Sequence, residues 1–571
     1  MDWFRTLLIV AVAVLGWNII FQWNQDYGQS NDATASEVNN PQDIQVGHND
    51  ALKPQVADSI NSSLVPQSEK TEVSAPVVTQ NEPKIIQVST DIYDIEIDLN
   101  GGDLVRLALK QYPRSVENPD DPFVMLVNNS NAKYIAESGI IGASSFDLDA
   151  SAEQGRPVFK AAQDTYTMSD NSLVVPLEYT NDAGVTFEKR YIFNKDTYQI
   201  QVEYEITNAG DSNWLGRPYS RLRRTGFADP STGGGFGLPT FLGVAYWDPE
   251  EKFTKIKFSD LEDKGTRSAY LNTTMEGGWI GILQHYFVVA WTPAENESNL
   301  YRASYSENAK VPGGQEYIVD AVQSQITVKP GETVTTSQSM YAGPKLQDRL
   351  KEAAHGLNLS VDYGPLFFIS DLLMAVMKTI HKFIGNWGFS IILLTLFIKA
   401  LLFPLAAKGY RSMAKMREMQ PKMVELKKKY GEDRQKMSQE LMKLYQKEGV
   451  NPLGGCLPML LQMPIFLALY WALLESVELR QAPFILWIHD LSIMDPYFIL
   501  PLLMGASMFF QQRLNPEPPD PMQAKVMKFM PIGMTFLFLF FPSGLVLYWF
   551  TNNVLSIAQQ AYITKKVQKG A

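Results

Sequence analysis

The chain holds one cysteine, Cys456, among 571 residues, so no intramolecular disulfide can staple it, and the apolar setting of that thiol reads as packing. Its five histidines (His48, His285, His355, His381 and His489) are scattered, with no His-x-x-x-His or Cys-x-x-Cys pair, so neither a metal site nor a cofactor is expected. Net positive charge is lacking too. A formal charge of −11 and a pI near 5.2 argue against a protein built to bind nucleic acid, and no specific nucleic-acid sequence is expected as a partner. The intensely apolar last third has no Asp or Glu placed to sit inside a membrane. A proton-coupled or cation transporter would carry such acids and show duplicated halves with broken helices.

A mean hydropathy of −0.13 averages a polar first half with that apolar last third, so the chain has to be read segment by segment. Residues 3–22 are apolar apart from Arg5, Thr6 and Asn18, with Trp3, Trp17, Phe21 and Trp23 at the flanks. Bulky Trp17 follows the small residues Ala11 and Ala13, which favours an uncleaved transmembrane anchor (1–23) over a signal peptide. Arg5 before the span, and almost no Lys or Arg in the next sixty residues, place the N-terminus in the cytoplasm. Residues 24–84 are rich in Asn, Gln, Asp, Ser and Pro and read as a flexible polar linker.

From Ile85 the hydrophobic period becomes two. Ile95, Ile97 and Leu99 alternate with Asp94, Glu96 and Asp98, and Ile200, Val202, Tyr204 and Ile206 with Gln201, Glu203 and Glu205. Turns such as Asn100-Gly101-Gly102 and Asn181-Asp182-Ala183-Gly184 separate the runs. Residues 85–345 therefore read as one large, mostly antiparallel β-sandwich outside the cytoplasm, with a short helix near Phe258 to Asp263. With only His285 inside it, a sugar-processing site built from paired histidines is not supported.

Within 346–387, residues Leu366 to Ile384 put Phe367, Leu373, Met377, Ile380 and Ile384 on one stripe, the pattern of an amphipathic helix lying in the membrane interface. Gly385 to Gly388 would turn the chain into a transmembrane helix at 388–407. Residues 408–449 are tilted basic. Met416, Met419, Met423, Leu426 and Tyr430 face Met437, Leu441 and Leu444 across Tyr430 to Asp433, which predicts a cytoplasmic coiled-coil hairpin. Its basic excess fixes topology and leaves room for docking acidic lipid, ribosomal RNA or a targeting factor. Spans follow at 452–475, 495–511, 524–541 and 543–563, separated by an outer loop (476–494) and a cytoplasmic loop (512–523) and closed by a cytoplasmic tail (564–571). The total is about six transmembrane helices with both termini cytoplasmic.

One residue violates this apolar pattern. Lys399 lies near the middle of the 388–407 run, where a charge costs about 2.5–3.5 kcal/mol and faces protein or water unless it can reach the interface. The next charge, Lys408, is nine residues on, about 13 Å of helix, whereas a lysine stem reaches about 6 Å. Thr395 lies one turn before it, and Gln462, Ser507, Gln511, Thr535, Asn552, Asn553 and Ser556 lie at membrane depth. Each alone reads as an interhelical hydrogen bond. Together with one lysine they suit a water-filled groove, with Thr395, Gln462, Ser507, Gln511, Thr535 and Asn552 as its expected polar lining. Methionines line the later spans and adapt to varied apolar partners, though core filling is their commoner use.

The segments Asn451-Pro452-Leu453-Gly454-Gly455-Cys456-Leu457-Pro458, Gln462-Met463-Pro464-Ile465-Phe466, Trp487-Ile488-His489-Asp490-Leu491 and Phe541-Pro542-Ser543-Gly544-Leu545 closely resemble the bacterial YidC membrane-protein insertases. The resemblance is strongest over about residues 360–565, and the anchor, linker and β-region follow the Gram-negative layout less specifically. It implies an inner-membrane protein with a five-helix core, a hydrophilic groove open to cytoplasm and lipid, and a periplasmic β-supersandwich. The implied activity is non-enzymatic and needs no cofactor: insertion and chaperoning of nascent inner-membrane proteins, alone or with the Sec translocon. By position the family's groove arginine falls on Lys399, a departure, since arginine stays charged and grips carboxylates with two prongs whereas lysine is a point charge. The implied substrate slide carries Met463 and Pro464 on the third span and Phe536, beside Thr535, on the fifth. The short tail lacks the long basic extension by which some relatives bind ribosomes. A small-solute transporter or channel is the competing class.

Overall fold

Alternation of apolar and polar side chains is what builds the first half. In the computed structural model, which describes residues 84–142, 156–231, 240–250, 252–265, 269–430, 433–449, 457–515 and 521–569, strands run from Ile85 to Pro344 and helices dominate from there on. The expected anchor at 1–23, the linker up to residue 83 and Cys456 lie outside the described residues. Ile95, Ile97, Ile200, Val202, Tyr204 and Ile206 are buried while their polar neighbours are half-exposed, as period two requires. Among the described residues the strands form an eleven-stranded and a nine-stranded sheet. Pairing of the described strands is antiparallel, except where Ile85–Ser89 meets Thr165–Thr167 in parallel.

Buried polar contacts join the two sheets alongside their shared apolar core. Lys189, on a strand of the nine-stranded sheet, donates to the carbonyl oxygens of Gly101 and Gly102, in a turn between two strands of the other sheet, and of Ser138 on that sheet, at 3.2, 2.6 and 3.1 Å. The Tyr191 and Tyr93 hydroxyls make equivalent bonds to Gly102 O (2.6 Å) and Ala342 O (2.7 Å). Gly101, at φ +87°, needs its missing Cβ for a second reason: a side chain there would strike the Arg156 guanidinium, which is clamped on Asp103.

The helices are α1 (Phe258–Lys264), α2 (Gln347–Ala353), α3 (Phe367–Ile384), α4 (Trp387–Leu401), α5 (Phe403–Glu418), α6 (Gln420–Tyr430), α7 (Arg434–Lys447), α8 (Leu457–Glu475), α9 (Ile499–Leu514), α10 (Pro521–Phe538) and α11 (Ser543–Lys569). The structure departs from the sequence expectation in three places.

The run expected as one helix over 388–407 is two, α4 and α5, bent by 71° at Leu402. Pro404 is the cause: it has no N–H to give to the Ala400 carbonyl, and its ring crowds that carbonyl, so the first helix ends and a second starts with Pro404 in its first turn. Pro421 likewise separates α5 from α6.

In α3 the expected stripe holds only at its centre. Leu373 and Met377 are buried with Met374 and Ser370, but Phe367 and Ile384 at the two ends are exposed. The Ser370 hydroxyl, on this buried face, donates to Ala468 O of α8 at 2.8 Å. Gly385 (φ +71°) ends the helix and the Asn386 side chain, accepting from Phe389 N, starts α4.

The last spans begin and end a few residues from the expected limits, most visibly at α9. Asp495, fully buried, stays outside the helix and receives Leu500 N (2.7 Å), Tyr497 N (3.0 Å) and Trp487 Nε1 (3.0 Å), a carboxylate placed at the positive end of the helix dipole. Among the described residues no single helix is long and apolar enough to cross a membrane alone, whereas the bent pair α4 and α5 is, taken together. Between α6 and α7, Met419 and Met423 are buried against Tyr445, and Met416, Leu441 and Leu444 pack around them.

Candidate functional site

The break after α4 sets up the site. A helix that stops inside apolar surroundings leaves its last carbonyls without partners and its negative dipole end exposed to low dielectric. Lys399 lies in that last turn, and Gln559 of α11 donates to its carbonyl oxygen at 3.4 Å.

The lysine side chain turns inward and is only 8 % exposed. Its ammonium donates to Ser556 Oγ of α11 at 2.7 Å and, more weakly, to Gln462 Oε1 of α8 at 3.4 Å. The Ser556 hydroxyl in turn donates to Asn552 O at 2.7 Å, and the Gln462 amide donates to Asn552 Oδ1. Lys399, Gln462, Asn552 and Ser556 are therefore one connected network drawn from three helices. No carboxylate lies within ion-pair distance of the lysine among the described residues. A cation held only by neutral oxygens has charge to offer an acidic group, and any such group entering would be attracted in a medium less screening than water.

The remaining expected lining residues do not join this network. Thr395 is buried but spends its hydroxyl on Ile391 O of its own helix (2.6 Å). Ser507 of α9 donates to Met504 O (2.6 Å) and accepts from Asn553 Nδ2 (3.1 Å), forming a separate α9–α11 link. Thr535 of α10 turns back onto Pro531 O (2.7 Å). Gln511 is half-buried, and its side chain makes no hydrogen bond among the described residues.

Three comparisons with known proteins bear on this arrangement. A family model described as "60Kd inner membrane protein" matches residues 379–570, and one described as "YidC periplasmic domain" matches 85–376. The chain is 47 % identical to the membrane protein insertase YidC of Pseudomonas fluorescens strain SBW25, over 100 % of this chain and 99 % of that one. It belongs to the YidC membrane protein insertase family. Likewise it is 45 % identical to the YidC insertase of Pseudomonas aeruginosa PAO1, over the whole of both chains. Among solved structures, that of an active YidC insertase with its first transmembrane domain resolved aligns over 84 % of this chain and 92 % of its own, with 18 % identity and a TM-score of 0.36.

Met463 and Pro464 on α8 and Phe536 on α10 are all exposed, the first by 47 % and the last by 65 %. Large apolar side chains left outside the protein core suit contact with lipid or an apolar segment. Ser556, the nearest partner of Lys399, stands beyond the expected lining set. The spacing Asn552, Ser556, Gln560 marks one face of α11, and that i, i+4 repeat is the signal that finds it.

Proposed function

We propose that this chain inserts proteins into the inner membrane of a Gram-negative bacterium by offering a polar recess around Lys399 to the hydrophilic flank of an incoming segment. The observation that carries the reading is the buried ammonium held by Ser556 and Gln462 with no carboxylate beside it. The flank, drawn partly by that charge, crosses the hydrocarbon in polar company, which lowers the cost of moving unsatisfied polar groups through lipid. The attached apolar helix leaves along the exposed surface that includes Met463, Pro464 and Phe536. No covalent bond is made or broken.

In this reading about six helices span the bilayer, both termini lie in the cytoplasm, and the two sheets form a periplasmic sandwich. The basic hairpin α6–α7 receives a ribosome or a targeting factor, and the Sec translocon shares substrates with the core. Photocrosslinkers placed at Met463, Thr535 and Phe536 test the reading during synthesis of a Sec-independent inner-membrane protein. Capture of the nascent apolar segment at these positions, and not at Val174 on the β-rich half, is the expected result. Absence of capture at all three would sink it.

A further inference from the structure

The α9–α11 pair carries a second feature, away from Lys399. The two helices run parallel in a fixed register: Ser507 meets Asn553 and Leu514 meets Gln560, an offset of 46 residues in both contacts. Between them lies a groove of about 550 Å³, walled by Leu503, Ala506 and Phe510 on one side and by Phe550, Val554 and Ile557 on the other. Its volume is within the range of about 300–1,000 Å³ of sites that hold small ligands. The only hydroxyl among its lining residues, that of Ser507, is spent on Met504 O and on Asn553, which leaves an apolar floor.

One end of this groove is charged. Arg513 belongs to its lining, is exposed, and lays its guanidinium over the Phe509 ring at 4.5 Å. It has no carboxylate within ion-pair distance among the described residues. Lys565 and Lys566 follow Gln560 on α11 by five and six residues, about 8–9 Å of helix, so this is the basic end of the bundle and by the positive-inside rule the cytoplasmic one.

Length decides the occupant. From Leu503 to Leu514 the groove follows about 16 Å of helix, close to half of the roughly 30 Å hydrocarbon core. A partner transmembrane helix would need a face running the whole thickness, whereas one acyl chain of the cytoplasmic leaflet needs half of it. We propose that the α9–α11 groove binds one anionic phospholipid of the cytoplasmic leaflet, its acyl chain between the helices and its phosphate on Arg513. The guanidinium supplies a planar fork of donors for phosphate oxygens, and the Phe509 ring beneath fixes the plane of that fork.

Native mass spectra of the full-length protein, taken with equal amounts of dioleoyl phosphatidylglycerol and dioleoyl phosphatidylcholine, test this. The unaltered chain is expected to retain one phosphatidylglycerol in preference to phosphatidylcholine. Arg513→Gln lowers that preference about fivefold, as loss of one basic contact near a membrane surface should. Ala506→Leu fills the groove and lowers retention of both lipids, and Ile557→Phe does the same from α11 should the first variant fail to fold. Lys447→Gln, a basic residue on the hairpin, leaves the preference intact. The proposal is overturned by equal retention of the two lipids in the unaltered chain, by a preference that survives Arg513→Gln, or by an equal loss in Lys447→Gln. A dimer lost on filling the groove, with lipid retention unchanged, overturns it as well and assigns the groove to a second copy of the chain.

Discussion

Lys345 and Glu475 form a buried ion pair, 3.2 Å between Nζ and Oε2, that ties the end of the last β-strand to the end of α8. Lys345 also donates to Ser360 O at 3.2 Å. Next to the pair, His285 donates through Nε2 to Leu474 O at 2.9 Å, and burial pushes its pKa down. The β-rich half is thereby fixed to the helix that supplies Gln462 and Met463.

Breaking that pair from one side should cost more than replacing it. Glu475→Gln leaves a buried ammonium without its counter-charge, a loss of about 3–5 kcal/mol. The double variant Lys345→Met/Glu475→Leu exchanges both charges for apolar groups of similar size and should lose far less. Thermal unfolding of the full-length protein in detergent checks the order: the single variant melts earlier than the double one.

For Lys399 the charge and its anchoring can be separated. Lys399→Arg keeps a cation and should retain insertion of a Sec-independent substrate when the resident insertase is depleted. Lys399→Ala removes the attraction and should lower insertion. Lys399→Glu, which repels acidic flanks, should lower it further. Ser556→Ala leaves the ammonium in place but takes away its 2.7 Å partner, at about 1.5–3 kcal/mol for a hydrogen bond to a charged group. Its effect should therefore fall more on stability than on insertion, unlike that of Lys399→Ala. Equal activity of the Ala, Arg and Glu variants would mean that the recess needs only polarity.

Much of this site was legible because a lysine inside an apolar run is conspicuous, and so are Gln462 and Asn552 at membrane depth. What sequence could not supply was which hydroxyls face one another. Thr395 lies one turn from Lys399 on the same helix, yet its hydroxyl prefers the Ile391 carbonyl, because a threonine in a helix can always bond its own backbone. Ser556, 157 residues away, takes the ammonium instead, through a packing of α4 on α11 that no local pattern encodes. The strands were readable for the opposite reason: alternation fixes which face is buried wherever one face is dry. The bend at Leu402 was readable in principle from Pro404, but the apolar run on both sides of it argued for one continuous helix.

Gly505 of α9 faces Thr535 of α10, and a Cβ there would collide with Thr535 Oγ1. Gly505→Ala should destabilise by about 1–3 kcal/mol through overpacking. Thr535→Ala opens that space, so the double variant should recover most of the loss. A double-mutant cycle on the unfolding midpoint measures the coupling, and additive effects would place the two residues out of contact.

In the β-rich half, acid sensitivity should come from Glu137. Burial alone would raise its pKa, but the guanidiniums of Arg223, Arg156 and Arg221 outweigh that and hold it at about 2, below the ordinary 4.5. A carboxylate depressed in the folded state contributes stability that is fully present above the unfolded value and is lost as pH falls through the folded one. Glu137 therefore supports the fold above pH 4.5, and that support, on the order of 3 kcal/mol, disappears between pH 4.5 and about 2. Asp103 works in the opposite sense. Burial raises it to about 6 against the pull of Arg156, so its titration adds stability as pH falls from 6 towards 3.8. The two windows overlap only near pH 4, and the Glu137 signature is to be read below it. Tryptophan fluorescence of the full-length protein against pH should show unfolding that steepens below pH 4. Glu137→Gln should be less stable at pH 7, because three arginines lose their shared carboxylate, and should show a shallower dependence in that acid window.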